Sequence, residues 1–195
     1  MLRIKNRLYY WSAKLKLLYL ACFYKKSIKI GKGCRVDFNS RLWVIGKDSE
    51  IVLGNNCYIR SREFGYHVGM PFPCTLYAVG EGKIDIGNGC RLNGVFINSE
   101  KLIKIGDNCV IASGVQMMDS NGHVLHSLNR TIGRDNPKEI VIGNNCWIGL
   151  NSIVLKGTTL GNNCVVGAGS VVSGLFPDNV IVKGNPAQIV GEVKV

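Results

Sequence analysis

The sequence predicts an all-β chain, a parallel β-helix wound from six-residue units, and three observations predict it. After residue 26 no long stretch carries apolar residues at helical spacing, while Ile-Gly and Val-Gly steps recur among 24 glycines. Branched aliphatics fall on one six-residue phase at Ile142, Ile148, Val154, Leu160, Val166 and Val172. Four places after each of the first five stands a small residue: Cys146, Ser152, Thr158, Cys164 and Ser170.

A six-residue period with one large and one small inward position is neither an α-helix nor a two-sided strand. It fits short flat faces joined by turns, each coil stacked on the last. The phase restarts at Ile105, Gly106, Cys109 and Ile111, and at Ile86, Gly87, Cys90 and Leu92. Weaker copies sit at Leu53, Gly54, Cys57 and Ile59, and at Ile30, Gly31, Cys34 and Val36. The aliphatic fills the interior, and the small residue points inward where two faces converge and volume is short.

The tetrapeptide GNNC, written at 54–57, 143–146 and 161–164, is one expression of this repeat. Six of the eight cysteines (34, 57, 90, 109, 146 and 164) take the small inward slot, which Ser and Thr occupy elsewhere. A zinc ligand would not tolerate that exchange, and no C-x₂-C pair exists, so cysteine here reads as a small buried hydrophobe and no metal is expected.

The domain organisation follows. Residues 1–26 read as a basic amphipathic helical segment, 27–190 as the β-helix and 191–195 as a short C-terminal tail. Ile4, Leu8, Trp11, Leu15, Leu18 and Cys22 make one helical stripe. Residues 1–26 also hold seven Lys/Arg and no acid, against a net charge of +11 for the chain. The body is therefore close to balanced, and with no nucleic-acid motif the high pI does not indicate a nucleic-acid partner. The stripe fits a cap on the β-helix, and the charge with the aromatics fits a helix lying on an anionic membrane surface. No run of 18 apolar residues spans a membrane and no cleaved leader is evident, so a cytoplasmic location with free thiols is expected, peripheral at the membrane's inner face if the helix binds it.

Function on a solenoid sits where the repeat breaks. Two interruptions stand out, 60–83 with His67 and 117–139 with His123 and His126, so all three histidines lie in breaks and none in a coil.

The second break carries a resemblance. MDSNGH is similar to the segment of the hexapeptide-repeat, left-handed β-helix acyltransferases related to galactoside, maltose and serine acetyltransferases, in which a histidine acts as general base. The repeat resemblance covers roughly residues 27–190 and implies a left-handed coil. On that match His123 is the catalytic residue, His126 its rival, and Asp119 a residue to orient the imidazole. GCRLNGVFIN resembles the coil with a substrate-contacting asparagine, which implies an outward-pointing Asn93. NNCWIG resembles the tryptophan-bearing coil and implies Trp147 beside the thioester channel. VVGAGSVV and VKGNPAQIV resemble the coils along which coenzyme A lies, implying contacts at Gly149, Gly167, Ala168 and Ser170. The chain has Gln188 and Leu175 where relatives often carry basic residues, so phosphate contacts pass to Lys183 or Lys156.

The resemblance thus implies an acetyl-CoA-dependent O-acetyltransferase acting on a sugar or lipid-linked glycan. It would be a homotrimer with active sites between subunits, needing no metal. A serine or antibiotic acetyltransferase of the same fold, a zinc enzyme using all three histidines and a non-catalytic scaffold are the alternatives.

Overall fold

The computed structural model describes residues 11–20, 27–125, 128 and 130–194. Its strands form three sheets of seven, eight and six strands, parallel but for the last strand of the second, and these are the three faces of a prism. The chain visits the faces in rotation. Ile28–Ile30 lies on the first face, Arg35–Val36 on the second and Arg41–Ile45 on the third, and Glu50–Leu53 returns to the first.

The six-residue phase becomes vertical registry. On the first face Ile30, Leu53, Ile86, Ile105, Ile142, Leu160 and Phe176 stack in one column. On the second the column is Val36, Ile59, Leu92, Ile111, Ile148, Val166 and Val182. On the third it is Leu42, Leu76, Ile97, Met117, Val154 and Val172. All but Phe176 and Ile30 are buried, and these two pack partly buried against the same continuous core. Full burial of one such side chain stabilises by about 1.5–3 kcal/mol, so the columns are the main source of stability.

The corner between the first and second faces explains GNNC letter by letter. A Cβ on Gly143 would stand 2.6 Å from the Gly161 backbone above it, so only glycine lets the coils approach there. The first Asn accepts a backbone N–H from the neighbouring coil: Asn144 N donates to Asn162 Oδ1 at 2.9 Å, and Asp107 N to Asn144 Oδ1 at 2.8 Å. The second Asn takes the left-handed conformation of the turn, with φ between 55° and 58° at Asn56, Asn145 and Asn163. The cysteine thiol points inward and donates to a carbonyl one coil on, Cys146 to Gly161 O and Cys164 to Pro177 O, each at 3.1 Å. Ser152 and Thr158 make the same kind of bond at the other two corners, to Gly167 O at 3.0 Å and Val172 O at 3.1 Å.

Residues 11–20 form a helix. Leu20 joins the core of the β-helix with Leu17 partly buried against it, and Ala13 is also buried. The expected stripe is turned the other way: Trp11, Leu15 and Leu18 are about 60% exposed. Ile4, Leu8 and Cys22 lie outside the described residues.

The breaks are shorter than the sequence suggests. Thr75–Val79 is a regular third-face strand, so the first insertion spans 61–74. Gln116–Met118 is also a strand, and the second insertion spans 119–139. At the other end Val180–Gly184 and Ala187–Glu192 form an antiparallel hairpin, so regular structure extends into the expected tail.

Cys146→Ser and Cys164→Ala should therefore fold cooperatively. Cys146→Leu should lose about 1–3 kcal/mol or more, because the atoms around that corner are backbone and cannot yield. Denaturant unfolding of the three variants checks this, with equal stabilities counting against the inward thiol column.

Candidate active site

The insertion 119–139 leaves the corner between the third and first faces and carries His123. The ring Nδ1 lies 2.8 Å from the Arg130 carbonyl oxygen. A carbonyl only accepts, so Nδ1 carries the proton and Nε2 is left with its lone pair. Arg130 is itself tied back, its Nη2 donating to Leu125 O at 2.8 Å. The imidazole lines a cavity of about 340 Å³ with Asn121, Val124, Leu125, Arg130 and Thr131.

The turn before His123 is clamped. Asn121 N donates to Asp135 Oδ2 at 2.8 Å, and Gly122 N to Ser120 Oγ at 3.0 Å. Lys156, on the coil beneath, pairs with Asp135 and donates to Asn136 O at 3.2 Å. The hydrogen bond from Lys156 holds the Asp135 carboxyl below the usual carboxylate range. Lys156 thus anchors the histidine loop, a role beside its expected place among coenzyme A contacts.

Asp119 does not orient the imidazole. It is fully buried, and its carboxylate accepts from Ser99 Oγ at 2.8 Å and from the Glu100 and Lys101 amides at 2.8 and 2.9 Å. It closes the corner from which the insertion departs, and the Arg130 carbonyl holds the ring instead. His126 lies outside the described residues.

Asn93 and Trp147 stand on the second face, at the end of a groove of about 760 Å³ that also contains His67. Asn93 is buried rather than outward, its Nδ2 donating to Ile111 O at 3.0 Å. The cause is the first insertion, which folds back so that Met70 and Phe72 cover Gly94. Trp147 is half exposed. His67 and His123 line separate cavities, so the described histidines do not converge.

The remaining predicted contacts lie on the last coils. Ala168 and Lys183 are exposed, and the stem of Lys183 passes over Gly167. Gly149 is needed for packing, since a Cβ there would meet the Ala168 nitrogen at 2.6 Å. Ser170 faces inward, its Oγ donating to Gly167 O at 2.6 Å, so only its backbone borders the surface. Cys74, fully buried, is pushed up to about 11 by burial, which leaves it unsuited to nucleophilic work.

Within one protomer His123 sits at the third–first corner, while Trp147 looks out from the second face and the buried Asn93 borders the same groove. Sequence reasoning missed Arg60, Arg91, Tyr66 and Asp135. Tyr58, Arg91 and Trp147 each directly precede an interior aliphatic, so the six-residue phase alone would have placed them side by side. Asp135 gives no such signal, because its partner is 21 residues away.

Comparison with known proteins fits this geometry. The family model described as the hexapeptide repeat of succinyl-transferase matches residues 103–116 and 139–173. Protein CapG of Staphylococcus aureus is 44% identical over 115 residues, 57% of this chain and 67% of that protein. The Escherichia coli K12 protein named "Putative lipopolysaccharide biosynthesis O-acetyl transferase WbbJ" is 37% identical over 146 residues, 69% of this chain and 74% of its own length. The solved structure of galactoside acetyltransferase in complex with coenzyme A is 25% identical with a TM-score of 0.56, covering 86% of this chain and 66% of that one. The interior columns, the corner ladder and these relatives agree: the chain belongs to the hexapeptide-repeat, left-handed β-helix acyltransferases, in the branch of polysaccharide-biosynthesis O-acetyltransferases.

Proposed function

We propose that the chain transfers an acetyl group from acetyl-CoA to a sugar hydroxyl in cell-surface polysaccharide or lipopolysaccharide biosynthesis. The observation that carries this reading is the setting of His123, whose Nδ1 meets the Arg130 carbonyl at 2.8 Å and which lines a cavity, an arrangement that leaves Nε2 as the ring's basic atom. Nε2 takes the proton of the acceptor hydroxyl as the oxygen attacks the thioester carbonyl. The new C–O bond forms, the C–S bond breaks, and the proton passes from His123 to the departing thiolate. A general base of this kind contributes about 10²–10⁴-fold.

The donor is placed along the last coils, where Gly167 and Ala168 leave backbone accessible and Lys183 offers a cation to phosphate. That the related galactoside acetyltransferase was solved with coenzyme A supports this donor. The separation of His123 from Asn93 and Trp147 supports a trimer in which one subunit's histidine faces a neighbour's second face. A single prism is convex and offers no cleft joining them.

The helix 11–20 supports a peripheral membrane site. Its outward side presents Trp11, Leu15, Leu18 and Tyr19 with Lys14, within a segment of seven basic residues and no acid. Such charge is complementary to anionic lipid, each basic residue near the surface contributing about 1 kcal/mol. Among the described residues no helix is long and apolar enough to cross a membrane.

His123→Ala should lose transfer at least 100-fold while still binding acetyl-CoA in calorimetry and sedimenting as a trimer. Activity within tenfold of wild type would remove His123 from the chemistry. Asp135→Asn should lower kcat roughly 10- to 100-fold by loosening the His123 turn, since small misplacements of a reacting group cost that much. The Asp135 carboxyl is depressed when folded, so its clamp is complete above the ordinary carboxylate pKa of about 4 and fails only as pH falls below it. Any fall in kcat between pH 7 and 5 should therefore persist in Asp135→Asn, and its disappearance would assign that limb to the clamp. Full-length protein should float with anionic liposomes at low salt and a variant lacking residues 2–24 should not. Equal behaviour of the two would make the helix a cap alone.

A further inference from the structure

We propose that the second-face groove binds a negative charge carried by the acceptor, a carboxylate or a phosphate, so that the acceptor is an anionic glycan. This rests on the acyl-transfer reading and names its substrate class. The groove is lined by Tyr58, Arg60, Tyr66, His67, Arg91 and Trp147 among others, and no lining residue is an acid. In a body whose charge is nearly balanced, a concave site with two guanidinium groups and no carboxylate is a local excess that solvent alone does not require.

The arginines are prepared for a ligand rather than spent on the fold. Arg60 lies between two rings, 4.8 Å from the Tyr58 centroid and 5.4 Å from that of Tyr66, with Nη1 donating to Gly65 O at 3.1 Å. Stacking holds a guanidinium in place without neutralising it. Its Nε is buried and has no hydrogen-bond partner. Such an orphan donor costs free energy until an acceptor arrives. The nearby acid Asp37 is already committed, with the Nε atoms of Arg35 and Arg62 each 3.6 Å from it. Among the described residues neither Arg60 nor Arg91 has a carboxylate within ion-pair distance.

The spacing suits a sugar. Arg91, Val110 and Trp147 are successive outward residues on neighbouring strands. Two strand spacings put Arg91 roughly 10 Å from Trp147, so a charged unit at the arginine leaves its neighbouring sugar at the tryptophan. Tyr58 and Trp147 supply flat apolar surfaces of the kind that sugar rings cover. Lys183 lies beyond Trp147 in the other direction, so donor phosphates and acceptor charge approach the tryptophan from opposite sides.

The test reads binding separately from transfer. Calorimetry compares a uronic-acid oligosaccharide, a sugar nucleotide diphosphate and a matched neutral oligosaccharide on full-length protein and on Arg91→Gln, with acetyl-CoA binding measured in parallel. Wild type should prefer at least one charged sugar over the neutral one, with a preference that shrinks as salt rises. Arg91→Gln should weaken that ligand roughly 10- to 100-fold. Which charged sugar responds distinguishes carboxylate from phosphate. Preferential binding without any transfer would count against acyl transfer and leave the groove assignment standing. Equal affinity for charged and neutral sugars would overturn it, as would a variant that loses acetyl-CoA affinity alone, because the groove would then hold coenzyme A phosphates. Circular dichroism confirms that Arg91→Gln, an exposed change, is folded.

Discussion

Everything in this molecule depends on closing one corner at a fixed rise. A stack of coils must bring backbones together where the chain turns, and there the amides of one coil need acceptors that the next coil's turn can supply. The chain solves this with a continuous ladder of side-chain carbonyls. Asn55, Asn88, Asp107, Asn144, Asn162 and Asp178 each accept one N–H from the coil before, over 2.6–2.9 Å. Beneath it run the thiols, from Cys34 to Cys164, each donating to the next coil's carbonyl. Cysteine suits this slot because it is small, apolar in bulk and still a weak donor. The aliphatic columns supply most of the stability, but the ladder sets the rise at which they stack.

A corner so tightly bonded has no room for an insertion. The first–second corner repeats without a break from Gly31 to Asn179. Both insertions leave from the other two corners, 61–74 from the second–third and 119–139 from the third–first. The consequence for function is direct. The rigid corner keeps the register of Tyr58, Arg91 and Trp147 on the adjoining face, and the open corners supply His123 and the covering loop. On the proposed mechanism, chemistry would sit on a loop held by a scaffold whose least variable edge is this rigid corner.

This division also decides what was legible. The fold was, because each residue of GNNC answers one local demand and the demand recurs every turn. Interior residues such as Leu92 and Ile148 follow from period alone. Asn93 was misread because period says only that a residue after an interior aliphatic points away from the core. It cannot say that Met70, more than twenty residues earlier, folds over that spot. Asp119 was misread for a related reason: an acid four residues before a histidine suggests a pair, yet three donors at the corner already use its carboxylate. The Asp135–Lys156 clamp joins two segments through a loop with no repeat, and periodicity says nothing there. The helix stripe was found in the right residues, but sequence could not tell which flank meets the β-helix, since Ala13, Leu17 and Leu20 make a second, smaller stripe.

The rod is then polar along its length. The helix seats on the first coils, where Lys16 stands 6.0 Å from the ring of Phe38. Arg35, Arg60 and Arg91 follow on the second face within the same N-terminal half. The C-terminal half offers small residues and Lys183. With the donor along the last coils, an anionic acceptor would enter from the end that also carries the basic helix. If the helix meets anionic lipid and the groove an anionic sugar, as proposed, both draw on positive charge in the N-terminal half, and a single electrostatic gradient would serve both. A glycan tethered to lipid would meet these two features together, whereas a free neutral sugar would meet neither. That shared placement, more than either feature alone, ties the helix and the groove to one class of acceptor.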